Sequence, residues 1–198
     1  CTGQALTMNS VIRPRVQGCR FSGSALSAIG GGTIAGASIS NNAITTAAAG
    51  SCLELSAPTP SAITSNRCIC TGAGTGIIYT GGSNRNTVSN NTISVTTGAG
   101  VSTTSTQNVV SGNAIDSTTG TCISCSGAGS IISGNRLNRS SAGSVVVSLG
   151  ASSITCAGNV IEYTGAGGGV SCSQFSCSVV GNVVNGADTQ ISVTNTFC

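Results

Sequence analysis

The sequence predicts an all-β solenoid, a chain wound into about eight stacked coils of 22 to 25 residues. Three observations predict it: a motif that returns at a nearly constant interval, columns of apolar residues that keep their character at that interval, and a composition of small uncharged residues. An interval of this size is typical of proteins built from repeats that are stable only when they stack.

The repeated motif is clearest in the middle of the chain. Residues 88–93 read VSNNTI, and residues 110–115 read VSGNAI. The second asparagine of the motif recurs along the chain, with Cys19 in the equivalent position at the start. We expect it to occupy a turn that tolerates left-handed backbone geometry, as does the glycine that often precedes it, and its side chain to stack as a ladder of amide hydrogen bonds. The ladder positions are Asn42, Asn66, Asn91, Asn113, Asn135, Asn159 and Asn182.

Apolar residues form columns around each ladder position. One column lies two residues after the asparagine and includes Ile44, Ile93 and Ile115; another lies three residues before it and includes Ile39 and Val88. A third column is predicted at Ile29, Leu53, Ile77, Val101, Ile123, Val145, Val170 and Ile191. Alternation with a period of two and many β-branched residues favour strands. Each coil is therefore predicted to hold three short parallel strands.

The composition excludes several other classes of protein. Only 6% of the residues are charged and 3% are aromatic, and there are 29 glycines. The seven basic residues are scattered, without the clustering expected of a nucleic-acid-binding surface. No apolar run is long enough to predict a membrane-spanning helix. Because the chain starts at Cys1, we expect it to be a trimmed or mature product.

The repeat resembles that of a known superfamily. The pattern hydrophobic-x-Gly/Asn-Asn-x-Ile, followed by glycine and a short strand, is similar to the repeat of right-handed parallel β-helix proteins in the pectate-lyase-like superfamily, over about residues 16–193. The resemblance implies a single-stranded right-handed parallel β-helix forming one domain, 1–198, with terminal capping segments at 1–15 and 194–198. That superfamily includes polysaccharide lyases, glycoside hydrolases, tailspikes, adhesins and surface proteins, so the resemblance predicts fold rather than activity.

Eleven cysteines indicate secretion into an oxidising compartment. Cys68, Cys125, Cys156 and Cys172 replace apolar residues of other coils, and we expect them to be small buried apolar side chains. The disulfide candidates, at predicted turns, outward positions or chain ends, are Cys1, Cys19, Cys52, Cys70, Cys122, Cys177 and Cys198. Residues one coil apart can bridge, which suggests the pairs Cys177–Cys198 and Cys1–Cys19. Alternatively, Cys1 carries a lipid.

The acidic residues offer one possible enzymatic arrangement. Asp116 and Glu162 share a predicted column two coils apart, with Asn138 between them and Arg139 beside it. Their separation is near that of the carboxylates in an inverting glycosidase. There is no histidine to act as a base, and we expect two solvated side chains instead. We therefore predict no catalytic residue, cofactor or metal site, with a polysaccharide hydrolase as the alternative.

The outward positions before the ladder predict a flat uncharged surface. This packing face consists of Ser40, Thr64, Ser89, Ser111 and Ser133. A flat surface of small residues favours packing against another copy, so we predict a secreted structural protein that self-associates through this face and the solenoid ends. The alternatives are a module that binds or cleaves glycans and an ice-binding protein. Asn90 and Asn138 begin possible glycosylation sequons.

Overall fold

The fold was analysed in a computed structural model that describes residues 5–24, 27–47, 49–56, 60–81, 84–143, 145–186, 188 and 190–194. These residues form strands and turns, and none of them lies in a helix that could cross a bilayer. The strands are β1 (Leu6–Met8), β2 (Val11–Ile12), β3 (Arg15–Gln17), β4 (Arg20–Ser24), β5 (Ile29–Ala35), β6 (Ser38–Ser40), β7 (Ala43–Thr46), β8 (Leu53–Ser56), β9 (Ala62–Thr64), β10 (Arg67–Cys70), β11 (Ile77–Thr80), β12 (Thr87–Ser89), β13 (Thr92–Val95), β14 (Val101–Thr103), β15 (Val109–Ser111), β16 (Ala114–Ser117), β17 (Ile123–Cys125), β18 (Ile131–Ser133), β19 (Arg136–Arg139), β20 (Val147–Leu149), β21 (Thr155–Ala157), β22 (Val160–Tyr163), β23 (Val170–Cys172), β24 (Ser178–Val180), β25 (Val183–Asn185) and β26 (Ile191–Val193).

The strands form three parallel sheets, which confirms the predicted solenoid of about eight coils. Sheet 1 contains the strands from β3 to β24 that precede each ladder position, and sheet 2 contains those from β4 to β25 that follow it. Sheet 3 runs from β1 through β5 to β26, with β2 also pairing with β5. A coil is one strand of each sheet, so coil 1 is β3–β5 and coil 8 is β24–β26. The predicted terminal segment 1–15 thus contributes β1 and β2 to sheet 3.

Equivalent residues lie directly above one another. Ile93 pairs with Ile115, and Ile115 pairs with Leu137. In parallel sheets neighbouring strands lie about 4.8 Å apart, so these side chains stack in a column. The columns face inward and form a narrow core in which Ile93, Ile115 and Leu137 are buried.

One prediction within the third column is wrong. Val147, not Val145, pairs with Ile123, and Leu149 then pairs with Cys125. The turn between β19 and β20 is longer than in other coils, which moves the strand along the chain by two residues. Because a shift of two keeps the same side chains facing inward, alternation of apolar residues could not reveal the error.

The asparagine ladder is present from Asn42 to Asn182. In a typical step, the backbone N–H and the Nδ2 of Asn91 both donate to Oδ1 of Asn113, each at 3.0 Å. Nδ2 also donates to the carbonyl of Ile63 at 3.0 Å. At the start, the backbone N–H of Cys19 donates to Oδ1 of Asn42 at 2.9 Å. Each ladder amide therefore satisfies buried backbone groups that the strands leave unpaired at the turn.

Left-handed geometry was expected both at the ladder asparagine and at the glycine before it, and the structure confirms it only for the residue before the ladder. Asn90 has φ 57° and Gly112 has φ 63°, whereas no ladder asparagine has a positive φ. Asparagine and glycine tolerate this backbone conformation at least cost. The Gly/Asn of the motif turns the chain, and the ladder asparagine provides hydrogen bonds.

A second, shorter ladder lies five positions before the first. The backbone N–H of Ser61 donates to Oδ1 of Asn86 at 3.0 Å, and that of Asn86 donates to Oδ1 of Asn108 at 3.2 Å. Asn108 continues the series by donating from its backbone to Oγ of Ser130 at 3.1 Å. This second ladder was not predicted, although a polar residue recurs at this offset in four successive coils.

Candidate interaction surfaces

The predicted packing face forms one aligned row on the outside of sheet 1. Ser40 pairs with Thr64, Thr64 with Ser89, and Ser89 with Ser111. Ser133 follows Ser111 in the same register. All five side chains are half-buried. Backbone pairing at constant register aligns the hydroxyl groups at the strand spacing, which gives the surface the regularity needed to pack against a second regular surface.

The predicted carboxylate column is also aligned, on the outside of sheet 2. Asp116 pairs with Asn138, and Asn138 pairs with Glu162. Nδ2 of Asn138 donates to Oδ1 of Asp116 at 3.3 Å. Arg136 lies beside the column, 3.8 Å from the Glu162 carboxylate, and both side chains are largely in solvent. We call Asp116, Asn138, Glu162 and Arg136 the polar stripe.

The final coil exposes residues that are core elsewhere. Ile191 pairs with Val170, and Val193 pairs with Cys172, so both continue inward-facing columns. Their exposed fractions are nevertheless 47% and 43%, whereas Val170 is 1% exposed. Among the described residues, β24, β25 and β26 each have a strand partner on one side only. Within the described residues no further coil covers the backbone groups and apolar side chains of coil 8, and we call this surface the open end.

The structure corrects much of the cysteine assignment. Cys177 bonds to Cys172, with a Cα–Cα distance of 6.6 Å, and not to Cys198, which lies outside the described residues. Cys172 is buried as expected but is half of this disulfide. Cys177 lies five residues before Asn182, which is the position of the second ladder in its coil. The short turn after β23 brings it close to Cys172, the last residue of that strand. The two cysteines thus meet across a turn, not across a coil.

The remaining cysteines are free thiols where the structure describes them. Cys52 and Cys122 lie at the bend before sheet 3, as expected, but their side chains are buried, and Cys70 is a buried residue at the end of β10. At this corner of the coil, between sheets 2 and 3, the cysteine side chains face the core. Cys19 is exposed with a free thiol, which contradicts its pairing with Cys1, a residue outside the described ranges. Cys68, Cys125 and Cys156 are buried apolar side chains, as predicted.

Comparison with known proteins agrees with this architecture. Residues 4–161 match the family described as right-handed beta helix region. The chain belongs to the right-handed β-helix family. No curated protein and no solved structure matches it.

One charged residue lies inside this β-helix. Arg139 is fully buried in an inward column of sheet 2, directly beneath Tyr163, with its guanidinium carbon 5.3 Å from the ring centroid. Nη2 donates to the carbonyl of Ala166 at 3.1 Å, whereas Nε and Nη1 are buried without a hydrogen-bond partner. Arg139 was predicted to lie beside the carboxylate column, but strand alternation turns its side chain inward.

Arg139 also lies near a buried thiol of this β-helix. Burial raises the pKa of Cys122 to about 12, although the charge of Arg139 acts in the opposite direction. The thiol therefore remains neutral at physiological pH, and it donates to the carbonyl of Asn138 at 3.4 Å. Among the described residues, no group of three or more His, Cys, Asp or Glu side chains is placed to hold a metal ion.

The two sequons of this β-helix differ in accessibility. Asn90 is exposed in the left-handed turn before the ladder. Asn138 is half-buried within β19, and its Nδ2, the atom to which a sugar would attach, donates to Asp116. Asn90 is therefore the more accessible of the two glycosylation candidates.

Proposed function

We propose that this β-helix is a secreted, non-catalytic structural protein that forms an extracellular fibre, filament or surface layer. Copies stack through their solenoid ends, and the packing face supplies lateral contacts. The open end of coil 8 carries the proposal. It combines unpaired strand edges with exposed apolar side chains that continue the core, and a further coil of β-structure is the partner that satisfies both.

The charge distribution supports head-to-tail stacking of copies. The first coil and the segment before it carry Arg13, Arg15 and Arg20, and no acidic residue precedes Glu54. Beyond Arg139 the charged residues are Glu162 and Asp188, both acidic. A basic beginning and an acidic end attract each other across a head-to-tail contact and repel across a contact between like ends. Such a contact repeats indefinitely because it does not close on itself.

Self-association can be tested with a change in the open end. We expect the purified protein to form filaments in electron microscopy and concentration-dependent oligomers in sedimentation velocity. Ile191→Glu places a charge in the apolar end and should abolish both. Val160→Glu is the control, because Val160 is also an exposed apolar residue but lies in β22, which has a paired strand on each side.

Two outcomes contradict end-to-end stacking. One is a wild-type protein that remains monomeric up to high concentration. The other is equal loss of assembly in the Val160→Glu and Ile191→Glu variants, which shows that the loss does not depend on the open end. Lateral contacts are tested separately by Ser111→Arg at the centre of the packing face, which should prevent bundling of filaments without preventing their elongation.

The polar stripe supports a second candidate function, glycan binding or cleavage. Carboxylate, amide and guanidinium groups at the strand spacing can hydrogen-bond to successive hydroxyl groups of an extended saccharide. A glycan array and depolymerisation assays test this function, with the Asp116→Asn and Glu162→Gln variants. Binding that survives both substitutions, or the absence of any binding, contradicts it; cleavage lost in both contradicts the non-catalytic proposal.

A further inference from the structure

Two buried thiols face each other between coils 2 and 3. Cys70 is the last residue of β10, and Cys52 precedes β8 in the coil before. Their Sγ atoms are 3.3 Å apart, and the residues are 2% and 0% exposed. A disulfide needs an Sγ–Sγ distance of about 2.05 Å, so the two sulfurs must approach by about 1.3 Å.

The groups around the two sulfurs are neutral. Oγ1 of Thr46 lies 3.2 Å from Sγ of Cys70 and 3.9 Å from Sγ of Cys52. The Cys70 thiol donates to the carbonyl of Thr75 at 3.4 Å. A thiol is a weak hydrogen-bond donor, and the carbonyl oxygen of Thr75 has a second lone pair with which to accept another hydrogen bond. Loss of the Cys70 thiol hydrogen therefore costs little. Removing the thiol hydrogens therefore leaves no buried charge.

The same corner of a later coil provides an internal comparison. Cys122 occupies the position of Cys52 three coils further on, because Ile123 and Leu53 share a column of sheet 3. The position of Cys70 is there occupied by Arg139, in the same column of sheet 2. Cysteines fill both positions only at the boundary between coils 2 and 3.

We propose that Cys52 and Cys70 are an oxidation site that forms a second disulfide, which joins coil 2 to coil 3. The oxidant is a disulfide such as oxidised glutathione. One cysteine thiolate attacks it and releases one glutathione thiol, and the second cysteine then displaces the other. Two S–H bonds are replaced by one S–S bond, and the two electrons and two protons reduce the oxidant to two thiols.

The bond forms during folding and not afterwards. Contact with the Cys68 thiol, together with burial, raises the pKa of Cys52. Contact with Cys52 and burial likewise raise the pKa of Cys70. Since the thiolate is the reacting species, the folded, reduced protein resists oxidation. This inference is independent of self-association, because both cysteines lie inside a single solenoid.

Peptide mapping tests the bond directly. Trypsin cleaves after Arg20, Arg67 and Arg85, so Cys52 falls in peptide 21–67 and Cys70 in peptide 68–85. The protein is refolded in a glutathione redox buffer, alkylated in denaturant and digested without reduction. We expect a linked pair of these peptides in the mass spectrum. The proposal is wrong if both peptides are fully alkylated while the Cys172–Cys177 bond, separated by chymotrypsin at Phe175, is intact.

Variants distinguish Cys70 from Cys68, which lies in the same peptide. Cys70→Val introduces the residue found at the equivalent position in the next coil, Val95, and should eliminate the link. Cys68→Val should retain it. If the link persists in Cys70→Val, the partner of Cys52 is Cys68 and the proposal is wrong. Fragmentation of the wild-type linked peptide between Cys68 and Cys70 makes the same distinction if a variant does not fold.

Timing and stability provide further measurements. Oxidised glutathione added to the folded, reduced protein should form the bond at least tenfold more slowly than during refolding; equal rates contradict the role assigned to burial.

Reductant should lower the thermal midpoint by about 6–12 °C more in wild type than in Cys70→Val, because the bond closes a loop of intermediate length. Equal shifts in the two proteins overturn the proposed bond as a link between coils.

Discussion

Coils 5 and 8 carry similar residues at equivalent positions but bury them to different extents. Ile123 in β17 is fully buried, whereas Ile191 in the same column is 47% exposed. Asn113 is buried between two ladder neighbours, whereas Asn182 is half-buried, accepts from Asn159, and is the last ladder asparagine among the described residues. In a solenoid, a residue belongs to the core only if a coil lies on each side of it. The comparison explains why coil 8 exposes apolar side chains although its sequence resembles that of the enclosed coils.

The largest expected difference concerns the ladder. Asn113→Ala removes the acceptor for two donors of Asn91 in a buried site and should lower the free energy of unfolding by about 3–5 kcal/mol. Asn182→Ala should cost about 1 kcal/mol, since water reaches its neighbours. Denaturant titration of monomeric protein measures both values. Equal costs contradict the idea that the ladder depends on enclosure by two coils.

Truncation of a core valine tests the same comparison for apolar contacts. Val110 is fully buried in sheet 1, and Val179 occupies the same column in coil 8, where it is half-buried. We expect Val110→Ala to lower the free energy of unfolding by about 2–3 kcal/mol and Val179→Ala by less than about 1 kcal/mol, because a smaller cavity opens near the solvent. If assembly covers coil 8, the cost at Val179 should increase at protein concentrations where oligomers form.

Arg139 should show an effect of the opposite sign. A buried guanidinium with two unpaired nitrogens is costly, so Arg139→Met should raise the free energy of unfolding by about 1–3 kcal/mol. Arg136→Met, at an exposed position in the same strand, is the control and should change stability by less than about 0.5 kcal/mol. Loss of stability in Arg139→Met shows instead that the contacts with Tyr163 and Ala166 outweigh the cost of burial.

Alkaline pH should produce the most gradual change. Burial raises the pKa values of Cys122 and Cys156 from 9.0 to about 12 in the folded state. Their contribution is complete below pH 9.0 and is lost as pH rises toward 12, since only the unfolded chain releases these protons. Each thiol should reduce the free energy of unfolding by about 1 kcal/mol per pH unit in this window.

Valine substitutions test this pH dependence. Replacing either Cys122 or Cys156 by valine should make the decline between pH 9.0 and 12 less steep, whereas Cys19→Ser, at an exposed position, should leave it unchanged. Unfolding curves recorded at a series of pH values provide the comparison. An unchanged slope in both valine variants contradicts burial of neutral thiols.

The cysteines show where prediction from sequence succeeded and failed. Cys68, Cys125 and Cys156 replace isoleucine or valine in well-defined columns, and their burial was predicted correctly. Cys52, Cys70 and Cys122 lie at the corner between sheets 2 and 3, where the coils vary in length and sequence columns do not align. Disulfide partners depend on distances across such corners, so Cys172–Cys177 could not be predicted from spacing alone.

The period, the three strands of each coil, the inward columns and the asparagine ladder follow from the amino-acid sequence, because a stacked repeat must place compatible side chains above one another at every step. The backbone conformation of the ladder asparagine, the displacement of strand β20, the thiols that meet and the inward orientation of Arg139 became apparent in three dimensions. These features depend on how turns of unequal length close between the sheets, and local sequence constrains that geometry weakly. The exposure of coil 8 likewise depends on what lies beyond a residue in space and not on the residue itself.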